Sequence, residues 1–508
     1  MNKLNLRRGA RIASLLMVSG ITLFSCKKES TPADTNQPSS SGNVITVQDS
    51  LTGDVHWTAD NVYFLKGWVY AVDGTTLTID PGTIIKGDKD TKAALIIEPG
   101  AKIMAQGTEM KPIVFTSNQP VGGRSYGDWG GVILCGKAPV NSVVNGVYPI
   151  VEGGPRTRYG GTDPADNTGV FSYVRIEYGG IAFSPDNEVN GLTLAGVGNG
   201  TKLDHVMVSF SGDDSYEFFG GTVNADHLVA LAGWDDDFDT DNGYSGNVQF
   251  IVGLRDPYAA DASGSKGFES DNDGAGSSNL PQTSAVFSNA TIIGGLVDPN
   301  STAYSSNFVS GAHIRRNSSI SIFNTVIMGW PAGVLIDDKP AGSTSGNVNS
   351  DKCKFINNIV SGIPTGPITG SDQKNVVYVI NGAGSLTSTA KMDDSTGYWA
   401  KYMGPITWFN TASFNNKIYA TPGEVRLQNP FNLTNPNFIP TTTSPIIDSK
   451  VNGSWSGKPV IAADFSDSKL SNAFFQKVGY IGAFAGTQST SDNWLANWTN
   501  FDPLHTAY

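Results

Sequence analysis

The sequence predicts an all-β fold: a single-stranded right-handed parallel β-helix, or solenoid, finished by a short C-terminal cap. Three observations predict it. His205 recurs as His227, Asp213 as Asp235, Asp214 as Asp236, Glu217 as Asp239 and Gly221 as Gly243, all at one constant spacing, a 22-residue step. Leu77-Thr78-Ile79-Asp80-Pro81-Gly82 is echoed at an 18-residue step by Leu95-Ile96-Ile97-Glu98-Pro99-Gly100. A fixed step that carries apolar, glycine and charged positions together is the mark of stacked repeats. The composition agrees, with 59 glycines, only 16% charged residues and no long helical periodicity, as short strands joined by turns require.

Length alone, at 508 residues, would suggest about three domains, but a solenoid lengthens without dividing. The coil is expected over residues 44–484. Each turn supplies an alternating strand and then an acid-Pro-Gly corner, where proline presets φ and glycine accepts positive φ. Two more steps of 18 reach Phe115 and Ile133, so Ile79 is expected to lie against Ile97. A left-handed coil of hexapeptides needs an apolar residue every six positions, and Thr83 and Lys89 break that rule. The lengthening from 18 to 22 suits a right-handed coil with variable loops. Further strands are expected at 171–180, 203–210, 228–231, 248–252, 286–293, 320–328 and 355–360. The rhythm weakens over 362–437, where a loop excursion and a short helix near 398–402 are expected, and the last turns are placed at 444–448 and 478–484.

An open coil exposes strand edges at both ends. Residues 55–70, with Trp57, Tyr63, Phe64 and Trp68, are expected to begin the coil and cover its bottom. Residues 485–508 form the cap, with Trp494 and Trp498 four apart on one face and laid over the final turn. Cys135 and Cys353 sit in apolar runs many turns apart, so both read as buried thiols and not as a disulfide.

The N-terminus carries an address. Lys3, Arg7, Arg8 and Arg11 precede the apolar run 12–24, which is too short to span a bilayer and fits an export signal over residues 1–25. Leu23-Phe24-Ser25-Cys26 resembles the bacterial lipobox, which implies diacylglycerol on Cys26 and a lipid-anchored mature chain. Residues 26–43, rich in Ser, Thr, Pro and Lys, read as a flexible tether. A net charge of -12 excludes a nucleic-acid surface, which needs a basic stripe.

Trp57-Thr58-Ala59-Asp60-Asn61, Leu65-Lys66-Gly67, Val174-Arg175-Ile176-Glu177-Tyr178-Gly179, Glu188-Val189-Asn190-Gly191-Leu192-Thr193, Phe218-Phe219-Gly220-Gly221-Thr222-Val223 and Glu269-Ser270-Asp271-Asn272 carry a resemblance. Together with the repeat beginning at Leu77, they resemble the β-helix outer-membrane lipoproteins related to the leptospiral-type major lipoprotein. That resemblance implies a lipid-anchored outer-membrane protein, periplasmic or surface-exposed, often a companion of TonB-dependent uptake receptors. It implies no catalytic residues.

The candidate site is acidic. If turns stack, Asp213, Asp214 and Glu217 lie about 4.8 Å from Asp235, Asp236 and Asp239. Like charges at that distance repel by roughly 3 kcal/mol at an effective dielectric of 20 and by under about 1 kcal/mol in water. A solvated corner would need no cation, whereas a groove would favour calcium on Asp213, Asp214, Glu217, Asp235, Asp236, Asp239, Asp241, Glu269, Asp271 and Asp273. The segment 269–274 starts like an acidic calcium loop but has Leu280 where an EF-hand places its closing glutamate. Arg156, Arg158 and Tyr159 form a weaker candidate for a sugar or an anion, or else brace their own loop.

These residues support a noncatalytic protein that binds a nutrient, glycan or partner receptor. One alternative is a calcium-dependent polysaccharide lyase with Arg255 or Lys266 as base, or a hydrolase pairing Asp213-Asp214 with Asp235-Asp236. The histidine-glycine and arginine-lysine elements of polygalacturonases are absent from the sequence, and His205 and His227 read as structural. A purely structural surface protein is the remaining alternative.

Overall fold

The computed structural model describes residues 42–184, 187–339, 342–364, 376–380, 400–402, 404–447, 461–487 and 489–508. The export signal, Cys26 and most of the tether therefore lie outside the described residues. Among the described residues, 26 strands join in one hydrogen-bonded system whose pairings are parallel, giving a β-helix with three faces. Parallel strands linked by crossovers take the right-handed coil.

The first face holds Asp54–Trp57, Thr76–Ile79 and Lys102–Gln106; the second holds Ile84–Gly87 and Ile113–Ser117. The third holds Ala94–Ile97, Gly131–Cys135, Leu192–Ala195, Tyr216–Phe219, Phe238–Asp241, Ser265–Ser270, Phe308–Ile314 and Ala332–Asp337. From Gly169–Glu177 to Val286–Ile293 a single bent strand serves the first and second faces together, and beyond it paired short strands such as Ser321–Phe323 and Val326–Met328 take over. Interior rows pack like on like: Leu203, Ala225, Val248, Phe287, Ile322 and Phe355 lie in register down the coil. Cys135 and Cys353 are buried and unpaired, and burial pushes the Cys353 thiol up to about 12.

The 22-residue step is a true turn: Leu203 lies on Ala225 and Tyr216 on Phe238. The 18-residue echo is not. Ile79 pairs with Ala105 on the first face, whereas Ile97 pairs with Ala71 and Leu134 on the third. Phe115 lies on Ile85, and Ile133 on Ile96. The echoed motifs are two corners of the same turn, alike because each must reverse the chain sharply after a buried strand. Turn lengths vary widely because loops are inserted at the corners. The chain passes from Val44 to its partner Val62 in one short turn, but from Val132 it reaches its partner only at Leu192.

The ends also differ from expectation. Val44–Leu51 forms the bottom rung, beneath Trp57 and Tyr63, which stack with centroids 4.8 Å apart. The last rung is Lys417–Tyr419 on Ile359–Ser361, well short of residue 484. Residues 400–402 are turn, and the short helix lies at Pro405–Phe409.

The second face explains where the rest of the chain goes. Its outward row Met207, Val229, Val252, Thr291, Val326 and Ile359 is largely apolar, and Ile446, Ile447, Ile481, Phe484, Leu495 and Trp498 bury it. Residues 444–447 and 478–484 are thus part of a strap laid on the coil, not turns of it. After Ala483, whose carbonyl accepts from Trp494 Nε1, the strap runs toward the first turns. There Arg124 donates to Pro503 O and Thr506 O, and Lys86 to Tyr508 O. The terminal segment does cover the coil, but along its flank instead of over its last turn. Strands apolar on both sides, such as Val206-Met207-Val208, signal a second buried surface.

The corner between the first and second faces docks this strap. Tyr173, His205, His227, Phe250, Asn289, Asn324, Asn357 and Asn415 occupy it on successive rungs, all with φ between 50° and 60°. Asparagine tolerates this left-handed conformation best. Asn357 donates to Asn324 Oδ1 at 2.8 Å and Asn415 to Asn357 Oδ1 at 2.7 Å, while Asn289, Asn324 and Asn357 also donate to Tyr480 O, Asp464 O and Ala462 O of the strap. The aromatic rungs stack instead: His205 and His227 lie 4.4 Å apart at 6°, edge-on to Trp494. The two histidines sit inside the strands Lys202–Ser209 and Ala225–Leu231, with their Nδ1 atoms on Asp204 and Asp226. Because Trp498 is fully buried, Trp498→Ala should lower stability by about 3–5 kcal/mol. A chemical-denaturation midpoint within error of wild type would show that the strap is not packed there.

Candidate functional site

The outward side of the third face carries the acidic residues. Strand alternation puts Tyr216, Phe238 and Phe268 inside and leaves Thr193, Glu217, Asp239, Glu269 and His313 as one outward row in register. The turns entering these strands add Asp213-Asp214 and Asp235-Asp236. Asp214 Oδ1 accepts the Asp236 N–H at 2.8 Å, and Asp236 Oδ1 accepts the Lys266 N–H at 2.6 Å. Each carboxylate therefore caps the backbone of the next rung. The ladder is a buried groove, not a solvated corner: Asp214, Glu217, Asp235, Asp236, Glu269 and Asp271 are all at least nine-tenths buried.

The groove has two electrostatic halves. Around Glu269 the charges are matched: Lys266 Nζ lies 2.5 Å from Glu269 and 3.6 Å from Asp236, and Arg315 bridges Glu269 and Asp271. Arg316 adds a 2.6 Å contact to Asp271. Burial raises the Glu269 carboxyl, but Lys266 and Arg315 outweigh it and bring it down to about 2. His313 lies between Glu269 and Asp337, at 3.6 and 3.4 Å, and burial lowers its pKa, favouring the neutral ring.

The other half lacks such cations. Burial, then neighbouring carboxylates, holds Asp213, Asp214, Glu217, Asp239 and Asp241 well above the ordinary range. Glu152, from an adjoining loop, and Glu188, on the short strand Asn187–Glu188, add to this field. Oxygens of Asp213, Asp214 and Asp235, and of Asp214, Glu217 and Asp239, each gather within 4.8 Å of one another. A calcium ion with ligands at about 2.3–2.6 Å spans such a set. Asn190 donates to Glu217 while its own Oδ1 is buried without a partner, as is Asp235 Oδ1. Both atoms are hard oxygen donors of the kind calcium takes.

Not every predicted ligand belongs here. Asp273 caps its own loop, accepting from the Ala275 and Ser277 N–H groups at 3.0 and 2.9 Å. Asp271 is held by two arginines. Arg156, Arg158 and Tyr159 lie outside these carboxylate clusters, and Arg158 and Tyr159 line a separate cavity of about 480 Å³ with Lys137 and Tyr148. Arg156 lies 4.1 Å over the Tyr70 ring and 3.2 Å from Glu98, Arg158 donates to Tyr148 O, and Tyr159 packs its buried ring near Phe219. Sequence reasoning missed Asn190, His313 and Arg315, which no repeat of 22 marks, because longer turns bring them in.

The uncompensated half gives a pH dependence. Its carboxyls have folded pKa values above the unfolded values near 4, so the folded state binds more protons. Their stabilising contribution is complete below about pH 4 and is lost as pH rises through the folded values. In chelator, the melting temperature should therefore fall between pH 5 and pH 8. A flat or rising profile would show that these groups ionise freely.

A family model described as a pectate-lyase-like β-helix domain matches residues 49–403, more than two thirds of the chain. No curated protein and no solved structure matches it. The matched span contains every rung from Asp54–Trp57 to Ala332–Asp337 and the whole acidic groove. With the parallel three-faced coil described above, this match places the chain in the pectate-lyase-like β-helix family.

Proposed function

We propose that this is a noncatalytic, lipid-anchored outer-membrane lipoprotein that binds an acidic glycan or similar anionic nutrient through calcium held on its third face. The uncompensated carboxylate half carries this reading. Asp213, Asp214, Glu217, Asp235 and Asp239, with Asn190, hold the cation, whose remaining coordination positions take ligand oxygens. Lys266, Arg315 and Arg316, paired with Asp236, Glu269 and Asp271, close the other end of the same groove. The lipobox at Cys26 supports the anchor, and the resemblance to outer-membrane β-helix lipoproteins supports service to a TonB-dependent receptor.

A lyase of the same fold is the second reading, favoured by the family and by the acidic groove. It loses both bases considered for it. Arg255 is sealed in the interior, 3.2 Å from Asp237, and the charged form of Lys266 is favoured because Asp236 and Glu269 outweigh its burial. A general base must be able to give up its proton near working pH. Asp237, raised by burial to about 7 against the pull of Arg255, is equally enclosed.

Calcium titration should raise the melting temperature of the protein and saturate, and Glu217→Gln with Asp239→Asn should abolish the rise. Uronate oligosaccharides should bind in calcium and not in EGTA. An unchanged melt across calcium concentrations sinks the cation. Product formation from those oligosaccharides would move the assignment to the lyase. Separately, radiolabelled palmitate should enter the wild-type chain and not Cys26→Ser, and a label on neither would remove the anchor.

A further inference from the structure

The aromatic part of the corner ladder ends abruptly. Phe250, His227, His205 and Tyr173 follow one another with centroid separations of 5.2, 4.4 and 4.3 Å. On the next rung toward the N-terminus no ring follows Tyr173. Gly107 stands there, its N–H donating to Ser172 O, and a Cβ on it would meet Tyr173 O at 2.4 Å. The chain then turns through the Thr108 and Lys111 bridge. Among the described residues, the ring that Tyr173 meets outside the ladder is the edge-on Trp498, 5.9 Å away at 84°.

Tyr173 thus opens on a cavity of about 460 Å³, lined by Glu109 and His205 on the coil and by Ser491, Asn493 and Asn497 of the strap. That volume suits a small organic ligand. The lining chemistry is selective. Glu109 is an acceptor, the Asn493 and Asn497 amides donate and accept, and the serine hydroxyl does both. Asn497 Nδ2 already donates to Glu109, which orients the pair. Asp204, which accepts from Ser172 and meets His205 at 2.8 Å, is also paired with Lys202 at 3.0 Å, so Glu109 is the lining carboxylate that disfavours an anion here.

We infer that this cavity binds a neutral pyranose sugar, whose apolar face continues the stack on Tyr173 while its hydroxyls meet Glu109, Asn493 and Asn497. A pyranose has this split character, with C–H groups on one face and donors and acceptors around the rim. The site lies at the corner of the first and second faces, needs no cation and is independent of the calcium reading. The strap completes it, so folding of the C-terminal segment and sugar binding are coupled.

The test is calorimetric titration of the full-length protein in detergent with EGTA present, using glucose, galactose, mannose, xylose and their β-linked dimers. At least one should bind saturably. Tyr173→Asn should weaken it about tenfold while the protein still folds, because asparagine adopts the same positive φ on four later rungs. Glu109→Gln, which preserves shape, should weaken it as well. Absence of saturable binding across the panel overturns the inference, as does wild-type affinity in folded Tyr173→Asn. Uronate binding in calcium that persists in Tyr173→Asn would leave the groove reading intact, so the two proposals fail separately.

Discussion

Hydrogen bonding between successive turns is the constraint on which this molecule depends. Each parallel strand satisfies its backbone on the rungs above and below, which fixes the rungs about 4.8 Å apart and places like positions over like. Local propensity contributes little to such a coil. The reward comes from rows, because an isoleucine or phenylalanine is buried only when its counterpart on the next turn is also buried. Loops of any length are tolerated at the corners, provided that the chain returns in register. The short turn from Leu203 to Ala225 and the much longer one from Val132 to Leu192 therefore coexist in one coil.

The same superposition concentrates charge. A single acid on a strand is harmless, but an acid repeated on the next turn is held at rung distance whatever its neighbour's charge. The protein resolves this in two ways along one groove. Near Glu269 the longer turns deliver Lys266, Arg315 and Arg316, and ion pairs neutralise the row. Near Glu217 the turns deliver further carboxylates and the amide of Asn190 but no cation among the described residues, so the row is left to protons or to a cation. Buried charge without a partner is costly. The unmatched half is accordingly the better candidate for chemistry than the matched half, which reads as internal bracing.

The first-to-second corner shows a third use of stacking. A left-handed residue is required on every rung, and asparagine supplies it in the later turns, with amide bonds from rung to rung. In the earlier turns rings replace amides, and stacking replaces hydrogen bonding. Both versions also hold the strap, amides through its carbonyls and rings through Trp494 and Trp498. Coil and strap thus share one seam, and the C-terminus is anchored near the beginning of the chain by Lys86.

The parallel coil was legible in the sequence because the 22-residue step repeats chemistry as well as hydropathy, and charged positions such as Glu217 and Asp239 mark register unambiguously. The acidic row was legible for the same reason, as were the two buried thiols. The 18-residue echo misled because Asp80-Pro81-Gly82 and Glu98-Pro99-Gly100 report how a corner is made, not which corner it is. What only the tertiary structure decided is what meets across unequal loops: Asn190 at Glu217, Arg315 at Glu269, and the strap on the second face. Sequence spacing carries a contact only where turns have equal length. Once loops of different size intervene, neighbours in space share no common step, and the coil's hydrogen-bonded register alone selects them.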